Sequence, residues 1–322
     1  MARSASKPAL VLNGEGLGEH VDLASDLVAA GVEVVFRSIE ELAIDIGPEG
    51  VRIRETVNGR DLADFGLVQV FAYHRPTATL LNALADYLAV KGVRAVNVAG
   101  IGAPTKLFKY VRLANRGLSI PSTVYLPPRL LPGAYHDLAM RLDMPFVLKT
   151  VTGGRGGGRT SLVGSEGVFT EKLRDADHAR GFLAQELVPP DGSFFLLVLG
   201  GNVSFALQHR SIGGGDLLAK SGWEDATLVD SQRLDPEAQE TAVQAATSLG
   251  YDIAGVHLVR HWTTGQWCVL DVSPNLPIGS GGYTAEKVSA YSAYLKRRLT
   301  DSDQADANGL LDPDVTGLRA QS

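Results

Sequence analysis

A lysine followed by a cluster of glycines lies near the middle of the chain and has the composition of a phosphate-binding loop. Lys149 ends the apolar run 145–149, and five of the six residues from 153 to 158 are glycine. Because glycine lacks a Cβ atom, such a loop can adopt positive φ angles and bring several backbone N–H groups against one anion. The lysine and the glycines together predict a site for a phosphate group.

The glycine cluster has two other interpretations besides a flexible flap that covers the phosphate. Residues 153–160 approach the P-loop pattern G-x-x-x-x-G-K-[ST], with Arg159 in place of the lysine. A P-loop must open a helix, whereas residues 160–167 predict a second strand and a turn. A disordered glycine linker is the other alternative, although linkers rarely lie between two apolar strands. We therefore predict a flexible glycine flap on a hairpin.

A second group of side chains, near residue 271, has the composition of a magnesium site. Asp271 and Ser273 face the same way on an apolar strand, and Asn275 follows where the strand ends. A three-residue hairpin loop at residues 263–265 would place Asp271 opposite His257 on the neighbouring strand. A carboxylate, an amide and a hydroxyl are ligands that magnesium accepts beside phosphates and waters. An Asx-type turn that ends the strand is the alternative interpretation.

The hydrophobic pattern predicts the elements that must position these groups. In residues 1–100, apolar strands alternate with amphipathic helices in two β-α-β units, which predicts an open parallel sheet. Residues 101–188 contain helices and the flap hairpin. Residues 189–300 contain apolar runs joined by short glycine turns, which predict antiparallel sheet. The polar residues 301–322 predict a loose tail. The expected fold class is thus α/β combined with α+β.

Composition excludes several classes of function. The chain has 322 residues, of which 45% are hydrophobic, enough for two or three globular domains. Its formal net charge is −6 and it has no dense run of Lys and Arg, so nucleic acid is not an expected partner. No apolar run approaches the ~18 residues of a membrane span, and residues 1–8 lack a signal core. We expect a cytoplasmic protein with no membrane partner.

Two further motifs have simple structural interpretations. The only cysteine, Cys268, lies in an apolar strand pattern, which indicates a buried and unreactive thiol. Gly14, Gly16 and Gly18 suggest a dinucleotide-binding turn, but they do not fit G-x-G-x-x-G, and the next strand ends at Arg37 without the acidic residue that holds a ribose. A nicotinamide-dependent oxidoreductase is therefore the weakest functional interpretation.

The order and spacing of the motifs resemble the ATP-grasp superfamily of carboxylate–amine ligases, over roughly residues 103–299. Within it, the chain is most similar to ribosomal-protein-modifying glutamate ligases and microviridin-type peptide ligases. The resemblance implies an ATP-grasp fold with ATP and Mg²⁺ as cofactors. It also implies a pre-ATP-grasp domain at residues 1–100, a lid subdomain at 101–188, a C-terminal subdomain at 189–300 and a flexible tail at 301–322.

The resemblance implies a set of nucleotide-binding residues. Lys106 matches the first nucleotide-contacting lysine of the family and Lys149 the second, while residues 185–188 match the segment whose backbone pairs with adenine. The expected nucleotide-binding residues are Lys106, Lys149, Gly153, Gly154, Arg155, Gly156, Gly157, Gly158, Gln185, Glu186, Leu187, Val188 and Asp191.

The resemblance also implies metal ligands, with two departures from the family pattern. The run Asp271-Val-Ser-Pro-Asn275 resembles the Glu-x-Asn-Pro-Asn ending on which these ligases hold magnesium. His257 stands where the family usually has a metal-binding aspartate, and Ser273 where it has an asparagine. The expected metal residues are Asp271, Asn275, Ser273 and His257. Because neutral imidazole is a poor ligand for magnesium, we expect weak or rearranged metal binding.

The reaction implied by the resemblance is the joining of a carboxylate to an amine through an acyl phosphate. Catalysis of this phosphoryl transfer is mainly positioning and charge neutralisation. Arg210 is expected to stabilise the transferred phosphoryl group, with help from Lys220. The substrates are expected to be amino acids or peptides, and the oligomeric state is open, a homo-oligomer included. The alternative, motivated by His257 and Ser273, is a nucleotide-binding regulatory protein without ligase activity.

Overall fold

The computed structural model describes residues 7–13, 21–71, 75–98, 105–151, 160–174, 181–189, 192–209 and 226–300. The chain divides into two compact units, one formed by Met1–Ala103 with Val288–Ser322 and the other by Pro104–Lys287. The sequence-based division also has a boundary near residue 100, but it does not group residues 288–300 with the first hundred. Its separation of residues 101–300 into two subdomains stays a prediction.

The first unit contains a parallel sheet formed by the strands β1 (Ala9–Asn13), β2 (Val34–Ser38), β5 (Leu67–Val70) and β6 (Arg94–Val96). The strand order is β2-β1-β5-β6 and all pairs are parallel. This unit also contains the helices α1 (Val21–Ala29) and α2 (Arg75–Val90), and a hairpin of β3 (Leu42–Gly47) and β4 (Gly50–Glu55). The predicted open parallel α/β sheet is therefore confirmed.

Apolar runs explain why this sheet is buried. Leu10, Leu12, Val68 and Val70 are fully buried and form one core with residues of α2. A run that is apolar at every position is typical of a parallel strand covered on both faces. From Val288 onward, the helix α7 (Thr284–Thr300) also belongs to this unit, where Tyr291 is fully buried.

The second unit begins with an antiparallel sheet made of β7 (Thr123–Leu126), β8 (Phe146–Thr150), β9 (Thr160–Val163) and β10 (Phe182–Glu186). The order is β7-β10-β8-β9. The helices α3 (Lys106–Asn115), α4 (Tyr135–Leu142) and α5 (Glu166–Arg174) belong to the same unit. Lys149 pairs with Thr160, so two antiparallel strands flank the glycine cluster. This strand–loop–strand order confirms the hairpin and excludes a P-loop, since the element after the glycines is a strand.

The second sheet of this unit consists of β11 (Phe194–Leu199), β12 (Asn202–His209), β13 (Ala226–Val229), β14 (Ile253–Arg260) and β15 (Trp267–Ser273). Its order is β13-β12-β11-β14-β15, with antiparallel pairs throughout. The helix α6 (Pro236–Ser248) contacts this sheet, and its buried residues are the small side chains Ala238, Ala242, Ala245 and Ala246. The predicted antiparallel sheet is confirmed.

The hairpin of β14 and β15 places His257 opposite Asp271, as predicted, although its loop length and register differ from the expected ones. His261 N donates to Gln266 O at 2.8 Å, so the loop contains four residues instead of the expected three. A register shift beside His257 leaves Leu270 as an extra residue of β15. The longer loop shifts the register of the two strands by one residue, and this bulge shifts it back, so that His257 still pairs with Asp271.

Two other expectations concern membrane-spanning helices and the reactivity of Cys268. No helix within the described ranges is long and apolar enough to cross a membrane. Cys268 is fully buried, and burial raises the pKa of its thiol to about 11. The thiol is therefore protonated at neutral pH, in agreement with the expectation of an unreactive cysteine.

Candidate functional site

The first predicted lysine lies at the start of α3, against the end of β8. The Thr105 side chain caps the helix by accepting a hydrogen bond from Phe108 N at 3.2 Å. Lys106 is the first helical residue, and its backbone N–H donates to Val151 O at 3.1 Å. Residues three and four positions further on share a helix face with Lys106. These residues are Lys109 and Tyr110.

The second predicted lysine, Lys149 on β8, is held by one side chain of the neighbouring strand β10 and one of α3. Its Nζ donates to Gln185 Oε1 at 2.5 Å and to the Tyr110 hydroxyl at 3.3 Å. Gln185 is buried, and its Nε2 donates in turn to Thr123 Oγ1 at 2.8 Å. The Gln185 side chain therefore orients Lys149, a contact that the sequence did not indicate.

Burial lowers the pKa of the Lys149 ammonium to about 8. The Asp271 carboxylate opposes this change, while the positive charges of Lys106 and Lys109 add to it. Three ammonium groups that lie near one another indicate a site that favours an anion. We call Lys106, Lys109 and Lys149 the lysine cluster.

Asp271 is the acidic counterpart of the lysine cluster. Lys109 Nζ lies 2.7 Å from Asp271 Oδ1 and also donates to Val272 O at 2.6 Å. Burial alone would raise the pKa of the carboxyl group, but the nearby Lys109 ammonium outweighs it and lowers the pKa to about 2. The Asp271 side chain is 41% exposed, against 13% for Lys109. The carboxylate is thus ionised at neutral pH and reachable from solvent.

His257 lies beside Asp271 in a row of aromatic rings. Its ring centroid is 5.0 Å from that of Phe195 and 6.4 Å from that of His209, with which it is stacked. Burial lowers the pKa of the imidazole, although Asp271 opposes this. His257 is therefore neutral at neutral pH, and its ring packs against those of Phe195 and His209.

Ser273 and Asn275 form a local turn at the end of β15. Ser273 Oγ donates to Asn275 O at 3.0 Å and lies 3.3 Å from Asn275 N, which donates to it. These bonds match the alternative interpretation, a side-chain turn that ends the strand. The Asn275 side chain is exposed. In the part of the chain that the structure describes, no three His, Cys, Asp or Glu side chains group as a metal site would require.

The segment predicted to face an adenine lies at the end of β10. Glu186 N donates to Ser122 O at 2.9 Å, and one Glu186 carboxylate oxygen lies 3.0 Å from His261 Nε2. Val188 is buried among apolar side chains, whereas Leu187 is half-buried. The backbone N–H of Glu186 is thus already bonded within the protein.

Several predicted residues lie outside the described residues, and their roles stay predictions. They are the flap residues Gly153, Gly154, Arg155, Gly156, Gly157 and Gly158, then Asp191, and the expected catalytic residues Arg210 and Lys220.

Lys109 and Tyr110 are the main site residues that sequence reasoning missed. Tyr110 is buried, and its hydroxyl donates to Leu270 O at 2.7 Å, so it ties α3 to β15. Helical periodicity from Lys106 places both residues on one face. Only the packing of α3 against β15 shows that this face meets Asp271.

Comparison with known proteins supports the fold. No protein-family model matches the chain. A search of curated proteins gives no significant match either. Solved structures do match: the ATP-grasp ligase PsnB complexed with a minimal precursor is 18% identical, with a TM-score of 0.65, covering 90% of this chain and 98% of PsnB. A PsnB structure with minimal precursor, Mg and ADP matches at 17% identity and a TM-score of 0.66, covering 90% of this chain and 97% of that one.

A RimK domain protein from Sphaerobacter thermophilus is 18% identical, with a TM-score of 0.59, and the match covers 89% of this chain and 99% of that protein. These likenesses run over most of each chain. The protein therefore has the ATP-grasp fold, as the resemblance implied.

Proposed function

We propose that the protein is an ATP-dependent carboxylate–amine ligase. The observation that supports this most strongly is the meeting of separately predicted motifs at one place in the second unit. Lys149 on β8 reaches Tyr110 of α3, and Lys109 of the same helix reaches Asp271 on β15. A cluster of ammonium groups at the junction of two sheets and a helix suits a triphosphate, since charge-assisted hydrogen bonds to phosphate are strong.

The reaction in this proposal has two steps. The substrate carboxylate attacks the γ-phosphorus of ATP, which forms an acyl phosphate and releases ADP. The amine then attacks the acyl carbon, phosphate leaves with the bonding electron pair, and the new amide nitrogen loses a proton. Lys106 and Lys149 bind phosphate oxygens, while Arg210 and Lys220 are proposed to stabilise the transferred phosphoryl group.

Two of the four expected metal residues suit magnesium, and two do not. Asp271 and Asn275 would hold it, and magnesium usually binds one or two protein carboxylates together with substrate phosphates. When bound, the ion neutralises phosphate charge. His257 is neutral and packed among rings, and the Ser273 hydroxyl is engaged in a turn. We propose that these two residues contribute little to metal binding.

The proposed substrates are amino acids or peptides in the cytoplasm. The PsnB structures are described as complexes with precursor peptides, which supports a peptide as one substrate.

The test is to incubate the protein with ATP, Mg²⁺ and pools of amino acids or peptides, and to measure ADP and phosphate. A ligase releases both, and the product has the combined mass of acid and amine less one water. ATP turnover that leaves no joined product would contradict the ligase proposal.

A second candidate is a nucleotide-binding regulatory protein without ligase activity. The neutral His257 and the occupied Ser273 hydroxyl favour it, because both replace oxygen ligands of the family pattern. ATP binding without ADP release across broad substrate panels would support this candidate, and measurable ligation would exclude it.

Nucleotide affinity is expected to fall as the pH rises above about 8, because the Lys149 ammonium then loses its proton. Below that pH the proton is already bound, so affinity changes little. Above it, binding of an anion must take up a proton, and affinity falls by up to roughly tenfold per pH unit. Calorimetric titration with ADP over this range measures the effect.

Lys287 provides the control for this pH dependence. It is a buried lysine whose pKa is also lowered to about 8 by burial, and its Nζ donates to Pro277 O and Ser280 O, both at 2.6 Å. The fall in affinity is expected to persist in Lys287→Met and to disappear in Lys149→Met. The reverse pattern would show that Lys287, and not Lys149, causes the pH dependence, and it would contradict the prediction.

A further inference from the structure

Lys109 has an arrangement that the proposed function does not explain. Its ammonium bonds to Asp271 Oδ1 at 2.7 Å and to Val272 O at 2.6 Å, and its side chain is 13% exposed. A lysine ammonium has three N–H donors. Among the described residues these two oxygens are its acceptors, which leaves one N–H donor for a ligand.

The same carboxylate is the only acidic group of the proposed magnesium site. A cation bound at Asp271 Oδ1 would have to displace Lys109 from a short charge-assisted hydrogen bond. His257, on the neighbouring strand, is stacked on His209, and an imidazole offers no negative charge to a metal. The described site is therefore rich in ammonium groups and poor in metal ligands.

We propose that the Lys109 ammonium supplies part of the phosphate charge neutralisation that Mg²⁺ would otherwise supply, so that nucleotide binding depends only weakly on the metal. This inference rests on the proposed function, because it assumes a nucleotide at the lysine cluster. Asp271 and Val272 O hold Lys109 in place before the ligand arrives, as a bound metal would be held. A preorganised cation needs little reorganisation when it meets an anion.

The experiment is to measure ADP affinity by calorimetry in excess Mg²⁺ and in excess EDTA, for the wild-type protein and for Lys109→Met. The wild-type affinity is expected to differ by less than about threefold between the two conditions. In EDTA, Lys109→Met is expected to bind roughly 10- to 100-fold more weakly, which corresponds to the loss of one charged hydrogen bond. Mg²⁺ is expected to reduce that loss, because Asp271 is then open to the metal.

Two further variants keep the test decisive. Lys109→Gln removes the charge but retains a donor for Asp271 and Val272, and it serves if Lys109→Met does not fold. Lys172→Met is the matched control, since Lys172 lies on α5 and pairs with the adjacent Glu171 at 3.0 Å. Its ADP affinity is expected to equal that of the wild type in both conditions.

Several results would overturn the inference. Wild-type affinity that needs Mg²⁺ by about 100-fold or more would show that Lys109 does not replace the metal. An unchanged affinity of the Lys109 variants in EDTA would exclude a contact with the nucleotide. A loss that Mg²⁺ does not reduce would make Lys109 an ordinary contact. Absence of ADP binding in both conditions would contradict the proposed function itself.

Discussion

Replacement of Lys149 by methionine is expected to lower ADP affinity by roughly 10- to 100-fold and to abolish measurable ligation, because a charged hydrogen bond to phosphate is lost. Methionine keeps most of the length and the apolar contacts of the lysine stem. The variant also removes a buried cation whose pKa burial has lowered to about 8. Its loss of activity should therefore come without loss of the fold.

The controls for Lys149→Met separate binding from stability. Thermal unfolding should show a midpoint close to that of the wild type, since the cost of leaving Gln185 Oε1 without its donor is offset by removal of the buried charge. Lys172→Met, at a half-buried position on α5, should retain ADP affinity and turnover. Turnover by Lys149→Met at the wild-type rate would remove the proposed mechanism.

Replacement of Asp271 by asparagine is expected to lower kcat by roughly 100-fold while leaving the KM for ATP unchanged or lower. The amide cannot neutralise a metal ion, and it pairs with Lys109 far more weakly than a carboxylate does. Val272 O still holds Lys109 in this variant, and the loss of a negative charge beside the lysine cluster reduces the repulsion of a bound anion, so nucleotide binding should not weaken. The effect should therefore appear in the chemical step.

Steady-state kinetics at saturating acid and amine, together with ADP calorimetry, measure this separation. Lys149→Met and Asp271→Asn should differ in kind, since the first mainly reduces nucleotide affinity and the second mainly reduces kcat. The exchange of Asp235 for asparagine is a matched control, because Asp235 pairs with Arg260 at 2.7 Å near α6, outside the lysine cluster. A kcat for Asp271→Asn equal to that of the wild type would exclude a role of this carboxylate in the reaction.

Local pattern was enough to predict much of the fold. Continuous apolar runs between helices indicated the parallel sheet of the first unit, and glycine turns indicated the antiparallel sheet of the second, both of which the structure confirms. The strand after the glycine cluster was predicted from its β-branched residues and excluded a P-loop. These features depend on the period of side chains along the chain, which a sequence displays directly.

The pairing of His257 with Asp271 shows where such reasoning is incomplete. The prediction used a three-residue loop, whereas the loop has four residues and the bulge at Leu270 restores the pairing. A bulge depends on how a strand bends against its neighbours, so the local sequence does not reveal it.

The sequence by itself therefore determined the strands, the helices and the residue types available for chemistry, because these follow from periodicity and composition. Only the tertiary structure decided which of the lysines on α3 reaches Asp271. Lys106 and Lys109 lie on one helix face, and the packing of α3 against β15, through Tyr110 and Leu270 O, brings Lys109 to the carboxylate. Contacts between residues some 160 positions apart arise from packing, which no local pattern contains.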